Sequence, residues 1–352
     1  MSDPPDLAAR VVRWQRRHGR RGLPWQQERD PYRVWLSEVM LQQTQAPTVQ
    51  TYYPRFLRRF PDLQALAAAD EDEVLALWSG LGYYARARRL HQCARAIVQR
   101  HGGIFPRTAA ALAQLPGIGR STAAAIAAFC FHERAAILDG NVRRVLARAL
   151  AVAHDLALAR HQQALWQRAQ ALLPQAPAHM PAYTQGLMDL GALICTPRRP
   201  NCARCPLQPV CAAHRAGEPE RYPVNTRRAA PTPQALWLLH ATDAQGRTWL
   251  AQRPAQGIWA RLHSLPDFDS PRALAAACPL AGTPQARRHP PIRHALTHRA
   301  LELHIVSVIA PAGAPPLAQG ARQGAWFAPH AWPALALPAP VRKFLAATGA
   351  LS

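Results

Sequence analysis

Lysine is nearly absent from this chain. Lys343 is the only one in 352 residues, so a side-chain amine cannot act as a nucleophile anywhere before it. Acidic residues are also scarce, at 20 Asp plus Glu against 42 Lys plus Arg, for a net charge of +22 and a pI near 11.3. That imbalance excludes an acidic protein and points to a polyanionic partner, nucleic acid first. An arginine- and alanine-rich proteome would produce the same bias, so composition alone supplies an expectation of nucleic acid, not a proof. No run of eighteen uncharged apolar residues is present, which excludes a predicted membrane-spanning helix. The start, Met1-Ser2-Asp3-Pro4-Pro5-Asp6, lacks the basic and apolar pattern of a signal peptide, and a cytoplasmic protein is expected. The 7 cysteines are an odd number and do not suggest a disulfide framework in that compartment. With 49% hydrophobic and 18% charged residues, the chain has enough apolar surface to build cores and is not a disordered polyelectrolyte.

The texture changes along the chain. Residues 1–222 read as helical, with amphipathic runs such as Asp72 to Trp78, Ala85 to Gln99 and Ser121 to Phe131 between glycine and proline stops. Residues 223–233, with three prolines and two arginines, read as an inter-domain linker. Residues 234–352 read as α+β. Ala235–His240 and Thr248–Arg253 predict a hairpin across Asp243-Ala244-Gln245-Gly246, and Leu301–Val308 alternates as a further strand. Ala310 to Gln323 reads as loop.

Three motifs carry chemistry. Cys195, Cys202, Cys205 and Cys211 lie within seventeen residues. Tetrahedral zinc sites usually use two separated Cys-x2-Cys pairs. Here one such pair is flanked by wider gaps, which favours a [4Fe–4S] cube, each thiolate taking its own iron, and leaves zinc as the alternative. Leu115-Pro116-Gly117-Ile118-Gly119-Arg120-Ser121-Thr122 sits between helical stretches as a helix-hairpin-helix. Gly117 and Gly119 allow close approach of a DNA phosphate to free backbone N–H groups at a helix start. An ordinary tight turn between core helices is the competing reading. Asp139, about twenty residues on, is either a helix N-cap or a carboxylate at the edge of a DNA groove. Glu38 lies among Trp35, Leu36, Val39, Met40 and Leu41. Such surroundings desolvate a carboxyl and raise its pKa, so it carries a proton at neutral pH.

The hairpin, the Asp and the cysteine cluster together resemble the endonuclease III superfamily of DNA glycosylases. Leu23-Pro24-Trp25-Gln26, Val34 to Gln45 and Trp78 to Arg88 resemble its MutY adenine glycosylases almost letter for letter. The resemblance runs from about residue 7 to the C-terminus and is weaker after the linker. It implies an all-α helix-hairpin-helix glycosylase domain with an iron–sulfur loop (195–211), joined to an α+β Nudix-like domain that recognises 8-oxoguanine. It also implies removal of adenine mispaired with 8-oxoguanine or guanine in double-stranded DNA, by a monomer with no membrane attachment that acts at the bacterial nucleoid. Adenine excision needs a proton on a poor leaving group while an oxocarbenium-like sugar develops, and two carboxyls suit that chemistry. By resemblance, Glu38 protonates adenine N7 and later helps activate water, Asp139 stabilises or transiently bonds the sugar cation, and Asn141 supports Asp139. Gln42 and Tyr83 match the wedge that enters the duplex while the base leaves the stack. Trp25, Leu41 and Gln185 match the adenine pocket. For Trp25 and Tyr83, aromatic core packing is the rival explanation.

Ser121 discriminates within the superfamily. Bifunctional members carry a lysine there, whose amine forms a Schiff base and cleaves the strand. The serine here predicts a monofunctional enzyme. In the C-terminal part, Gln252 to Trp259 and Leu265-Pro266 resemble a Nudix domain, but Ser270 to Cys278 has no glutamate to hold magnesium. Nucleotide hydrolysis is therefore not expected. His294-Ala295-Leu296-Thr297-His298 matches the 8-oxoguanine loop, usually Phe-Ser-His, with Leu for Phe and Thr for Ser. Thr297 and His298 are the predicted contacts. The nearby His289, His294, His298 and His304 are irregularly spaced, which favours phosphate or base contacts over a metal. The rival functions are a bifunctional pyrimidine-damage glycosylase, a Nudix nucleotide hydrolase with a DNA-binding appendage, and a non-catalytic DNA-binding protein with structural zinc.

Overall fold

The computed structural model describes residues 6–27, 29–226, 230–311, 315–318 and 324–349. The first five residues, residues 227–229 of the linker and most of the loop after residue 310 lie outside the described residues. The chain divides into two compact units, one of residues 1–68 and 89–227, the other of residues 69–88 and 228–352. No helix is long and apolar enough to cross a membrane among the described residues.

The first unit is helical. The helix Pro31–Leu41 starts on Asp30, whose side chain accepts from Arg33 N at 2.9 Å, with proline at the first position. It buries Val34, Trp35, Leu36, Val39 and Met40. The hairpin runs from the helix Ala109–Leu112, capped by Thr108, to the helix Arg120–Phe131. Gly117 at its turn has φ +75°, and a Cβ there would lie 2.6 Å from Arg89 Cβ. Both the left-handed backbone and the close packing therefore require glycine. The helix Gly140–Ala149 follows, and its buried face of Val142, Val145, Leu146 and Ala149 joins Leu187 and Leu190 of the helix Met180–Leu193 in one core. The two helices approach so closely that a Cβ on Gly191 would stand 2.6 Å from Asn141 Cβ.

The second unit is built on an eight-stranded sheet. Its strands are β1 (Thr232–Thr242), β2 (Thr248–Gln252), β3 (His263–Ser264), β4 (Asp267–Phe268), β5 (Arg287–Arg288), β6 (Ile292–Ala295), β7 (Arg299–Ile309) and β8 (Gly324–Phe327). The expected hairpin exists only at its tip, where Thr242 faces Thr248 and Asp243 Oδ1 accepts from Gln245 and Arg247 N–H. Most of β1 pairs in parallel with β7, from Thr232–Arg299 to Thr242–Ile309. Alternation then serves both faces. Leu236, Leu238, Leu301, Leu303 and Ile305 pack with the helix Ala339–Gly349 through Val341, Phe344 and Leu345. Leu239, Ala241, Val306 and Val308 pack with the helix Pro271–Ala277 through Leu274. A strand buried on both faces reads as a nearly continuous apolar run, as β1 does.

The helix Glu71–Trp78, expected with the helical domain, clusters with this sheet unit. Tyr84 Oη donates to Leu337 O at 2.8 Å, Arg88 Nη1 to Ala260 O at 2.6 Å and Arg342 Nε to Ser79 Oγ at 3.2 Å. A helical period shows that residues 71–78 form a helix, but not which unit the helix joins.

Candidate active site

A cavity of about 450 Å³ opens in the first unit, within the range of small-ligand sites. Its wall includes Glu38, Trp25, Gln26 and Gln185, and Arg16, Arg20, Arg21 and Arg29 surround it with positive charge. Trp25 is 8% exposed and stands edge-on to Tyr53, with centroids 5.6 Å apart, so it serves the core and the cavity at once. Leu41 ends the Glu38 helix without entering this wall.

Burial, with a smaller repulsion from Asp139, pushes the Glu38 carboxyl up to about 8. It therefore holds a proton at neutral pH and can release it to a leaving group. Asp139 caps the helix Gly140–Ala149, its Oδ1 accepting from Asn141 N at 2.7 Å and Val142 N at 2.8 Å. Burial raises its carboxyl, while those two N–H groups, Arg144 and Arg143 pull it down. The N-cap reading and the catalytic reading of Asp139 are thus compatible. Capping fixes one carboxylate oxygen at the positive end of a helix.

Asn141 does not hydrogen-bond Asp139 through its side chain. Its Oδ1 accepts from Arg144 Nη2 at 2.8 Å, and Arg144 also donates to Gly191 O at 2.6 Å and Cys195 O at 2.7 Å. Ser121 Oγ accepts from Leu138 N at 3.0 Å, so the serine ties down the backbone just before Asp139. Gln42 Nε2 donates to Thr122 Oγ1 at 3.3 Å beside the hairpin. Gly119 caps the second hairpin helix, and no atom lies within 4 Å of where its Cβ would be. Its missing side chain leaves open space in front of that helix.

Cys195, Cys202, Cys205 and Cys211 line a single cavity whose other walls include Val145, Ala149, Leu190, Ile194 and Leu207. Burial raises the thiols of Cys202, Cys205 and Cys211, Cys205 to about 12. Arg148, only 2% exposed, places Nη1 3.3 Å from Cys195 Sγ and donates to the carbonyls of Thr196, Pro197 and Tyr222. Among the described residues, no three His, Cys, Asp or Glu side chains converge tightly enough to hold one metal ion.

In the second unit, Tyr83 adopts φ +50° and is 47% exposed. Its hydroxyl lies 3.5 Å from Thr297 Oγ1, and Arg86 sits over its ring at 5.6 Å. Core packing is therefore not the role of Tyr83. Thr297 and His298 are exposed, whereas Leu296 packs against the sheet core. The histidines divide differently from the sequence expectation. His289 Nε2 and His240 Nδ1 share Ser307 Oγ at 2.7 and 2.8 Å, and His304 stacks on Trp237 with centroids 4.4 Å apart. His289 and His304 are thus committed within the fold. Sequence reasoning did not single out Arg20, Arg144, Arg148 or Asp189. Their partners are distant in the chain, and arginines are too common here to stand out.

The family model for HhH-GPD superfamily base excision DNA repair proteins matches residues 36–170, and that for the NUDIX domain matches residues 237–347. The chain is 37% identical over 258 residues to an adenine DNA glycosylase of Buchnera aphidicola subsp. Baizongia pistaciae (strain Bp), covering 73% of this chain and 72% of that protein. It is 46% identical over 211 residues to the adenine DNA glycosylase of Homo sapiens, covering 57% and 38%. Among solved structures it is similar to a thermostable thymine-DNA glycosylase, with TM-score 0.54, 29% identity, 59% of this chain and 95% of that one. A non-covalent endonuclease III–DNA complex shares the fold, with TM-score 0.50, 18% identity, 60% of this chain and 94% of that one.

Proposed function

The chain belongs to the adenine DNA glycosylases, N-glycosylases of base-excision repair, and we propose that it removes adenine opposite 8-oxoguanine or guanine with Glu38 as acid and Asp139 as the sugar-stabilising carboxylate. The observation that carries this assignment is Glu38, a desolvated carboxyl of pKa about 8 in the wall of a basic cavity. Glu38 delivers its proton to N7 of the extruded adenine, and the N-glycosidic bond breaks. Asp139, held by two backbone N–H groups, faces the developing positive charge on the sugar. The ionised Glu38 then takes a proton from the attacking water.

Gly117 and Gly119 present backbone N–H groups to a DNA phosphate, which positions the duplex without reading its sequence. Gln42 and Tyr83 act as wedges, Trp25 and Gln185 wall the adenine pocket, and Leu41 flanks it. Thr297 and His298, with Tyr83 beside Thr297, contact the opposing 8-oxoguanine. The helix Pro271–Ala277 carries no carboxylate, so the Nudix-like unit acts as a reader. Residues 1–222 without the 69–88 segment form the catalytic domain and 223–233 the linker, while the reader consists of 234–352 together with 69–88. The protein acts as a monomer on nucleoid DNA in the cytoplasm.

Cys195, Cys202, Cys205 and Cys211 would hold a [4Fe–4S] cluster. Four thiols in one apolar lining, faced by a buried guanidinium, support an anionic cluster there, and the single Cys-x2-Cys pair flanked by wider gaps favours it over zinc. The cluster would supply structural ordering of the 195–211 loop and takes no part in the steps above.

The test uses duplexes with A opposite 8-oxoguanine, A opposite G, or thymine glycol, with and without alkali. Adenine release from the first two only, with strand breaks only after alkali, supports the proposal. Release from thymine glycol, or strand breaks without alkali, refutes it.

A further inference from the structure

Asp189 lies on the helix Met180–Leu193, fully buried at 0% exposure. Its Oδ2 accepts from Arg20 N at 3.0 Å, and its Oδ1 accepts from Arg20 Nε at 2.6 Å and Gln185 Nε2 at 2.9 Å. Arg20 and Gln185 both line the cavity that holds Glu38. Gln185 stands one turn before Asp189 on the same helix.

The geometry points to Asp189 as the positioning residue that makes this pocket selective for a 6-aminopurine. An ionised carboxylate only accepts hydrogen bonds, so Asp189 fixes which end of the Gln185 amide it meets. The NH2 end turns to Asp189, which leaves the carbonyl oxygen as the free end of a side chain that lines the cavity. An acceptor there suits the exocyclic amine of adenine. In a 6-oxopurine such as hypoxanthine the same position carries an oxygen, and two acceptors would face each other. Gln26 adds a second cue. It lies in the same wall, and its Nε2 is buried without a hydrogen-bond partner among the described residues. That donor suits an unprotonated ring nitrogen, as adenine has beside its amine, and clashes with the ring N–H of hypoxanthine. The Arg20 ion pair anchors the carboxylate where it meets the Gln185 amide. This inference rests on the assignment of the cavity to the extruded base.

The experiment measures single-turnover excision from otherwise identical duplexes carrying adenine or hypoxanthine opposite guanine. Asp189→Asn lets the neighbouring amide meet either end of Gln185, and the adenine-to-hypoxanthine ratio should fall by at least about tenfold. Gln185→Met should lower the ratio by a similar factor, and adding Asp189→Asn to it should move the ratio no further. A ratio unchanged in Asp189→Asn, or lowered equally with and without Gln185, would overturn the inference, whatever happens to the absolute rates. Absence of adenine release by the wild type would instead overturn the assignment of the cavity.

Discussion

Replacing Glu38 by Gln should abolish base excision and at the same time make the protein more stable. The amide keeps the shape and polarity of a protonated carboxyl but has no proton to give a leaving group. The stability gain follows from linkage. The folded protein raises the Glu38 carboxyl from an ordinary 4.5 to about 8, so it binds the proton more tightly than the unfolded chain does. Stability from this group is full below about 4.5 and is lost as pH rises through about 8, beyond which the loss is constant. At about 1.36 kcal/mol per pH unit, the complete loss is about 5 kcal/mol. Glutamine does not titrate, so Glu38→Gln should exceed wild type by about 1 kcal/mol near pH 5, about 3 kcal/mol near pH 7 and about 5 kcal/mol near pH 9. Urea unfolding of both proteins at the three pH values measures the difference, and wild-type single-turnover rates should fall tenfold per pH unit above about 8. A stability difference that does not change with pH would refute the desolvation argument. Persistent excision by the variant would refute the acid role separately.

Ser121→Lys should gain a small amount of borohydride-trappable adduct with abasic DNA, while the wild type gives none. The substitution removes the acceptor of Leu138 N–H at 3.0 Å, so it should also cost about 1–3 kcal/mol in a denaturant melt. Arg148→Ala leaves the carbonyls of Thr196, Pro197 and Tyr222 without their shared donor. Iron content and visible absorbance of the purified variant should drop together, with a stability loss of about 3 kcal/mol. Thr297→Ala should retain excision opposite guanine and lose about fivefold of the preference for 8-oxoguanine, as expected for one hydrogen bond of about 1 kcal/mol, read from the ratio of single-turnover rates.

What was legible in the sequence was local. The cysteine spacing, the hairpin glycines and the apolar neighbours of Glu38 all lie within a few turns of the groups they serve. The N-cap reading of Asp139 needed only the next three residues. Relationships across the chain stayed hidden. Arg20 meets Asp189 169 residues on, and Arg148 meets Cys195 47 residues on. The His240–Ser307 hydrogen bond depends on a parallel strand pair that adjacent-strand reasoning replaces with a hairpin, and His289 reaches the same hydroxyl from just after the antiparallel β5. The reader loop was readable as a motif, but Leu296 and Thr297 separate into core and surface only once β6 and β7 are paired.

The segment 69–88 belongs with residues 228–352, and this has a consequence for biosynthesis. The helix Glu71–Trp78 leaves the ribosome long before the strands with which the segment groups. At about 5–20 residues per second, translating the intervening stretch takes roughly 10 to 50 s. During that interval the segment waits without the strands of its own unit. Its four acidic residues, Asp70 to Glu73, lie at the start of that helix and are a dense patch of negative charge in an otherwise basic chain. Four charges of one sign at one end of the helix favour hydration of the waiting segment and disfavour its contact with the polyanionic ribosome surface.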